Sequence, residues 1–326
     1  MPHQKDRHEM SKIVRTIGID VGGTFIKIGL VRENTILAQR ILPTAKFSSS
    51  PKTLENCLVE AVRSLLHEEG RVSGIGVGIP GLVRYPEGVV QTCANLPGWS
   101  NVPLRAYLQR RLGIPAQVDN DANLMTLAEW RLGAGRGVEN LVCLTLGTGV
   151  GGGLVLNGSL YRSRSGSSAE IGHVAVGEAG PRCSCGGRAC LERYVGNRAI
   201  LRYVRKRIAE GAHSRLSEMV GHQMSRLTPE LIDQACVQGD RLARQTWEEA
   251  GRKIGFVLAK VVNLLGPDRI VIGGGIAKAG RWLFDPIRQT VRSRAMRQLA
   301  DVPIVPARLG SSAGLLGAAL LAREQA

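Results

Sequence analysis

Twice in this chain an apolar run breaks into a glycine turn and resumes at once as a second apolar run. Residues 14–31 do so through Gly22-Gly23-Thr24, and residues 141–156 through Gly147-Thr148-Gly149. A strand–turn–strand unit that recurs in each half of a chain predicts a duplicated α/β domain with a cleft between the copies. Unrelated hairpins with glycine turns would share the pattern, so the rest of the chain has to support it. Its 326 residues suit two domains on the prior of ~150 residues each. After the first hairpin, residues 35–42 read as a third strand. Residues 51–69 are helical through Leu54, Leu58, Val62 and Leu65, and Gly70 stops them. Residues 72–79 form a buried strand ended by Pro80-Gly81, residues 104–112 a helix and 116–118 a strand. Residues 122–132 form a helix with Asp121 near its N-cap. The second half repeats the order: a strand at 141–146, a glycine turn at 147–153 and a strand at 154–156. Helices follow at 197–210 and 240–265, a strand at 269–272, a helix at 280–299, a strand at 302–306 and a helix at 314–324.

Composition narrows the function classes. The formal charge is +16, with denser basic runs only at 198–207 and 288–297, and aromatics are 4%. Without aromatics interleaved among the basic residues there is no base-stacking surface, which argues against a nucleic-acid partner and for a solvated basic surface. A positive field also suits an anionic nucleotide. The first ten residues are polar and no apolar signal core follows them, and Met10 is an alternative start. No run of about 18 apolar residues exists, so no membrane span is expected. Seven cysteines without an export signal point to metal binding or free thiols in a reducing compartment, that is, to a cytoplasmic protein.

The glycines, 41 in all, gather between apolar runs, as in sites built from backbone. In the segment 20–27, Gly22 and Gly23 let backbone N–H groups approach phosphate, Thr24 adds a hydroxyl, Lys27 a charge, and Asp20 a carboxylate able to hold Mg²⁺ through water. A tight hairpin with a capping Asp would look the same. Gly147, Thr148 and Gly149 repeat the logic, and two such turns facing one cleft are far more specific than one. Gly274 and Gly275 follow a buried strand, where bare backbone would let a flat adenine slide in, or simply start a helix. There is no G-x-x-x-x-G-K-[ST], which excludes a P-loop enzyme. Residues 76–81 match G-x-G-x-x-G, but the glycines begin inside the strand and Pro80 breaks the turn, so they read as a strand ending in a substrate loop. In Asp119-Asn120-Asp121-Ala122-Asn123 a carboxylate can take a hydroxyl proton and Asn120 can bind a second hydroxyl; the same residues also suit a helix cap. His173, Cys183, Cys185 and Cys190 lie within 18 residues, a four-ligand set expected to hold a structural Zn²⁺. Cys57, Cys93, Cys143 and Cys236 sit in apolar runs and read as core. Glu170 and Glu192 flank the cysteine loop as partners for a hydroxyl-rich ligand, or as exposed helix-end glutamates. His173 can bind metal through one ring nitrogen and a ligand through the other.

In this order the motifs resemble the ROK family (repressors, open reading frames and sugar kinases), especially its ATP-dependent bacterial glucokinases. Carrying segments are Gly18-Ile19-Asp20-Val21-Gly22-Gly23-Thr24, Ile79-Pro80-Gly81, Asn95-Leu96-Pro97-Gly98-Trp99, Asn120-Asp121-Ala122-Asn123 and Leu146-Gly147-Thr148-Gly149-Val150-Gly151. Others are Ala169-Glu170-Ile171-Gly172-His173, the cysteine loop through Glu192, Gly273-Gly274-Gly275 and residues 314–319. The resemblance runs from Ile17 to Ala322. It implies an α/β actin-like ATPase (ribonuclease H-like) fold of duplicated domains around a central cleft, divided as residues 11–121 with 308–326 and residues 122–307. It implies Asp121 as catalytic base and sugar contacts from Gly81, Asn95, Asn120, Asp121, Glu170, His173 and Glu192. ATP and Mg²⁺ would use Asp20, Gly22, Gly23, Thr24, Lys27, Gly147, Thr148, Gly149, Gly274 and Gly275. It further implies Zn²⁺ on His173, Cys183, Cys185 and Cys190, a homodimer or homotetramer, and a cytoplasmic place in carbohydrate metabolism such as glycolysis. Phosphorylation of D-glucose at the 6-hydroxyl is the expected reaction. N-acetylmannosamine, N-acetylglucosamine, fructose or allose are alternative acceptors, and polyphosphate an alternative donor. A sugar-responsive transcriptional regulator is a further alternative, disfavoured because only 16 residues precede Ile17, too few for a helix-turn-helix. One departure stands out: Ala189 occupies a place where the family commonly has glycine, and if φ is positive there, Ala costs about 1 kcal/mol.

Overall fold

The structure is a computed structural model that describes residues 14–93 and 96–324. Asn95 and both candidate start methionines lie outside the described residues. In chain order the elements are β1 (Arg15–Val21), β2 (Phe25–Arg32), β3 (Thr35–Pro43), α1 (Pro51–Glu69), β4 (Gly74–Ile79), β5 (Leu82–Arg84), β6 (Val89–Thr92) and β7 (Ser100–Val102). Then come α2 (Leu104–Leu112), β8 (Ala116–Asn120), α3 (Asp121–Arg131), β9 (Leu141–Leu146), β10 (Val150–Leu156), β11 (Ser159–Leu160), α4 (Glu192–Val195), α5 (Asn197–Ala209) and α6 (Leu216–Met219). The chain closes with α7 (Pro229–Val237), α8 (Arg241–Leu265), β12 (Arg269–Gly273), α9 (Arg281–Arg294), β13 (Ile304–Pro306) and α10 (Ala313–Arg323).

The duplication is explicit in the sheets. One runs β3-β2-β1-β4-β8 and the other β11-β10-β9-β12-β13. In each, the hairpin strands pair antiparallel and the later two join in parallel. Residue alternation explains the layers. In β4, Ile75, Val77 and Ile79 point to the core made with Leu54, Leu58 and Leu65 of α1 and with Leu104 and Leu108 of α2. Gly74, Gly76 and Gly78 point the other way. A Cβ on Gly76 would lie 1.8 Å from Ala318 O, and one on Gly18 of β1 would lie 2.2 Å from Leu315 O. The missing side chains therefore let α10, the last helix of the chain, lie directly on the first sheet. In the second sheet Val142, Leu144, Ile270 and Ile272 face α8 and α9, while Leu141, Cys143 and Val271 face α3. Each closing helix thus packs on the sheet of the other half, and α3 and α10 meet where a Cβ on Gly317 would lie 1.9 Å from Leu124 O.

Several boundaries differ from the sequence reading. The second turn ends at Gly149, and Gly151, Gly152 and Gly153 belong to β10. The reason is packing: Cβ atoms there would strike Ala122 at 2.9 Å, Ala169 O at 2.3 Å and Thr126 Oγ1 at 2.0 Å. The helix expected over 280–299 stops at Arg294, and the Met296 amide donates instead to Asn263 Oδ1 at 2.8 Å. The cap of α3 is Asn120, one residue earlier than expected, so Asp121 begins the helix. The small sheet β5-β6-β7 has strands of three or four residues, too short to show a period. Helix α7 carried a readable start in Thr228-Pro229, a side-chain cap followed by proline. Cys57, Cys93, Cys143 and Cys236 are buried, as expected.

Candidate active site

Strand alternation aims two charges at the start of α10. Asp20 and Lys27 are cross-strand partners in β1 and β2, on the face that carries Gly18 and Gly29. Lys27 Nζ donates to Ser311 O at 2.5 Å, just ahead of α10. The Asp20 carboxylate lies against Gly314, where a Cβ would come within 2.6 Å of Asp20 Cγ. An anion at a helix N-terminus is favoured, yet burial still raises the Asp20 carboxyl above its ordinary range, opposed by the Lys27 charge. Between these residues, the Gly22 amide donates to Phe25 O at 3.0 Å, and Gly23 and Thr24 are exposed at the tip.

At the end of β8 the chain turns into α3. Asn120 Oδ1 accepts from the amides of Ala122 at 2.8 Å and Asn123 at 3.2 Å, and Asn120 Nδ2 donates to Gly81 O at 3.0 Å. Gly81 has φ +104 and no room for a Cβ, which would lie 2.1 Å from Thr92 O. Asp121 is half-buried, and its Oδ1 accepts from the Ala122 amide at 2.9 Å. Burial pushes the Asp121 carboxyl up to about 6, and the charges of Asp20 from the first half and Glu170 from the second add to the rise. A carboxylate that is ionised at neutral pH and still appreciably basic is suited to accept a proton from an attacking hydroxyl.

The second half contributes two adjoining turns. Gly147 N donates to Gly149 O at 3.0 Å, and Gly147 O accepts from Asn197 N at the start of α5 at 2.8 Å. Thr148 is exposed. Gly274, with φ +91, lies so close to the end of β9 that a Cβ would be 2.2 Å from Leu146 O; Gly275 beside it is exposed with open space around it. Glu192, at the start of α4, accepts from the Val150 amide through Oε2 at 2.9 Å. The glutamate expected at a ligand therefore also braces the second turn. Glu170 is raised by burial, lowered by His173 and raised by Glu192. His173 Nε2 is 3.9 Å from Glu170 Oε2, while its Nδ1 is 3.6 Å from Cys183 Sγ.

The donor atoms of His173, Cys183, Cys185 and Cys190 all lie within 4.8 Å of one another. The Cys185 and Cys190 sulfurs are 3.6 Å apart. Tetrahedral zinc with Zn–S of about 2.3 Å has ligand edges of about 3.8 Å, so this donor set fits such an ion. The loop closes through bridges between Ala175 and Cys190 and between Arg182 and Arg188. Ala189 is fully buried at φ +55, the positive angle that its place before Cys190 raised as a concern. The sequence did not single out Arg162, whose Nε donates to Asp119 Oδ2 at 2.7 Å; a separation of 43 positions leaves no local signal.

Residues 16–325 match the ROK family. The glucokinase of Thermotoga maritima is 34% identical over 313 residues, covering 96% of this chain and 98% of that protein. A crystal structure of a ROK family glucokinase from Streptomyces griseus in complex with glucose and AMPPNP superposes with a TM-score of 0.83 at 34% identity, covering 95% of this chain and 99% of that one. The xylose repressor of Caldicellulosiruptor bescii is 29% identical over 306 residues, 92% of this chain and 76% of the repressor.

Proposed function

Because the chain belongs to the ROK family, we propose that it is a hexose kinase that transfers the γ-phosphoryl group of Mg-ATP to the 6-hydroxyl of a hexose, D-glucose first among the candidates. The observation that carries this reading is Asp121: a half-buried carboxylate at the start of α3, pushed up to about 6 by burial and by the charges of Asp20 from the first half and Glu170 from the second. The relatives that are glucokinases, one of them solved with glucose and an ATP analogue, supply the substrate classes.

In this reading the sugar lies over the start of α3. The free Nδ2 hydrogen of Asn120, the Glu170 carboxylate and the His173 ring hydrogen-bond its hydroxyls. The nucleotide phosphates lie along the amides of the two glycine turns, with Lys27 contributing charge. Asp20 would hold Mg²⁺ through water, neutralising charge on the phosphates, and Gly274-Gly275 would face the adenine. As the sugar oxygen attacks phosphorus, its proton passes to the Asp121 carboxylate and the bond to ADP breaks in line with the attack. Residues 11–121 with 308–326, and 122–307, are the halves that close on the substrates and exclude water. Zinc on His173, Cys183, Cys185 and Cys190 would supply folding energy and hold the loop that presents Glu170 and Glu192. The test is a coupled assay of the purified chain with Mg-ATP, and separately with polyphosphate, against glucose, fructose, allose, N-acetylglucosamine and N-acetylmannosamine. Glucose turnover with ATP is expected, and no turnover of any hexose with either donor ends the reading. Similarity to a repressor carries a second reading, a sugar-responsive regulator. A gel-shift on duplex DNA separates it, with sugar-dependent specific binding as its signature.

A further inference from the structure

Two positions before Asp121, a buried ion pair joins the two halves of the molecule. Asp119 belongs to β8 of the first sheet, and Arg162 follows β11 of the second. Their side chains are 2% and 19% exposed, and Nε meets Oδ2 at 2.7 Å. The other carboxylate oxygen, Oδ1, accepts from the Asn120 amide at 2.7 Å and from Asn123 Nδ2 at 2.9 Å. Asp119 therefore grips both sides of the first turn of α3, the turn that begins with Asp121. The guanidinium also lies over the Tyr85 ring at 4.0 Å, and its Nη2 is buried with no hydrogen-bond partner among the described residues. Its hold on Asp119 is thus one-armed and depends on the stack to keep the plane in place. The residues after it follow it onto the first half: a Cβ on Gly166 would lie 2.3 Å from Val83 O. Gln91, with its amide turned so that both ends are satisfied, donates to Ser165 O at 3.0 Å.

We propose that Arg162 is a positioning residue: by pairing with Asp119 it fixes the first turn of α3, and through it the Asp121 carboxylate, at the point where the halves meet. The inference rests on the kinase reading above. A buried carboxylate stripped of its cation either takes up a proton or moves toward water. Both responses loosen its hold on Asn120 and Asn123, and a displacement of about 1 Å at a reacting group costs about a hundredfold in rate. Ground-state sugar contacts come from several elements and are less exposed to that shift.

The experiment compares the full-length wild type with R162M, R162K, D119N and the R162M/D119N double variant, by steady-state glucose phosphorylation with Mg-ATP and by urea unfolding. R162M is expected to lower kcat about a hundredfold with the glucose KM within about threefold. R162K is expected to recover about tenfold of that loss, since lysine restores the charge but not the fork or the stack. The double variant should lose no more than the worse single one, because both act through one link. If R162M does not fold, R162K carries the test, with a kcat about tenfold below wild type expected and a wild-type kcat overturning the proposal. An R162M kcat within threefold of wild type in a folded protein, or losses that multiply in the double variant, overturns it as well. A wild type that phosphorylates no hexose overturns both this role and the kinase reading, whereas an active wild type with an indifferent R162M overturns the role alone.

Discussion

At residue 121 the proposed role as base and the stability of the fold pull in opposite directions. The Asp121 carboxyl titrates near 6 in the folded chain, against an ordinary value near 3.8, mainly because burial penalises its charge. The folded state therefore binds the proton more tightly than the unfolded state, and stability falls as pH rises from about 4 to about 6, then levels off. A rise of about two units is at most about 3 kcal/mol, and partial exposure reduces it to about 1–2 kcal/mol. Asp121→Asn keeps the oxygen that accepts the Ala122 amide and loses the charge. It is expected to abolish turnover, by a factor of about 10²–10⁴, yet to unfold at higher urea than wild type at pH 8, with the gap closing near pH 4. A less stable variant at pH 8 would show that burial does not strain this carboxylate. In the wild type, kcat/KM should rise with pH through about 6 and then flatten, as the base loses its proton. Ala189 shows the opposite balance. Glycine there relieves about 1 kcal/mol of strain at φ +55. It also removes a buried methyl worth about 0.8 kcal/mol and adds unfolded-chain entropy. Ala189→Gly should thus leave the urea midpoint of the purified protein nearly unchanged. A gain of 2 kcal/mol would mean that the loop is strained well beyond one angle.

Among the elements, α10 is held by what its neighbours lack. On helix propensity alone, Gly317→Ala stabilises by about 1 kcal/mol. The added Cβ, however, would sit 1.9 Å from the Leu124 carbonyl of α3, a backbone atom that cannot swing aside, and overpacking of this kind costs about 1–3 kcal/mol or more. Contact should win: the variant is expected to unfold about 2 kcal/mol more easily, measured by urea denaturation at constant m-value, and a stabilised variant would mean that the two helices part easily. The same feature explains what could be read in advance. Glycine turns, α1 and α2 and the strands of both sheets apart from the two-residue β11 were legible because each has a local period or a stop residue. The glycines of β10 were not, because their reason is Ala122, Thr126 and Ala169, which are distant in sequence. The short strands of the small sheet carry no period at all. In the candidate site, Asp121 and the set of His173, Cys183, Cys185 and Cys190 stand out in the sequence as clusters of chemically unusual residues, and folding brings the four donors together. The brace from Glu192 to Val150 and the pairing of Arg162 with Asp119 were not, since each spans about forty residues and exists only after folding. Asn120 was legible as polar, but its use as the α3 cap depends on where β8 ends.

On the scale of the whole molecule, every proposed ligand contact divides between the halves. Asp20, Lys27, Gly81 and Asn120 come from the first sheet and its loops, while Gly147, Gly274, Glu170, His173 and Glu192 come from the second and its loops. Among the described residues, α3, α10 with the turn ahead of it, and the contacts of residues 161–168 cross between them. A sugar that touches both halves restricts their relative movement and brings the two glycine turns toward a common separation. A nucleotide that binds next no longer has to supply that ordering, so its apparent affinity rises by the share of open forms the sugar has removed. Linkage then requires the nucleotide to tighten the sugar by the same factor. Calorimetric titration of an unreactive ATP analogue, with and without saturating glucose, should show affinity about 5- to 50-fold higher with the sugar, the range of ordinary coupling energies. The reverse titration should return the same factor. R162M should shrink it, since the crossing segment then no longer ties the second half, with Glu170, His173 and Glu192, to the start of α3. Equal affinities with and without glucose would mean that the halves are already fixed before either ligand arrives, and that closure contributes nothing to ordering the site.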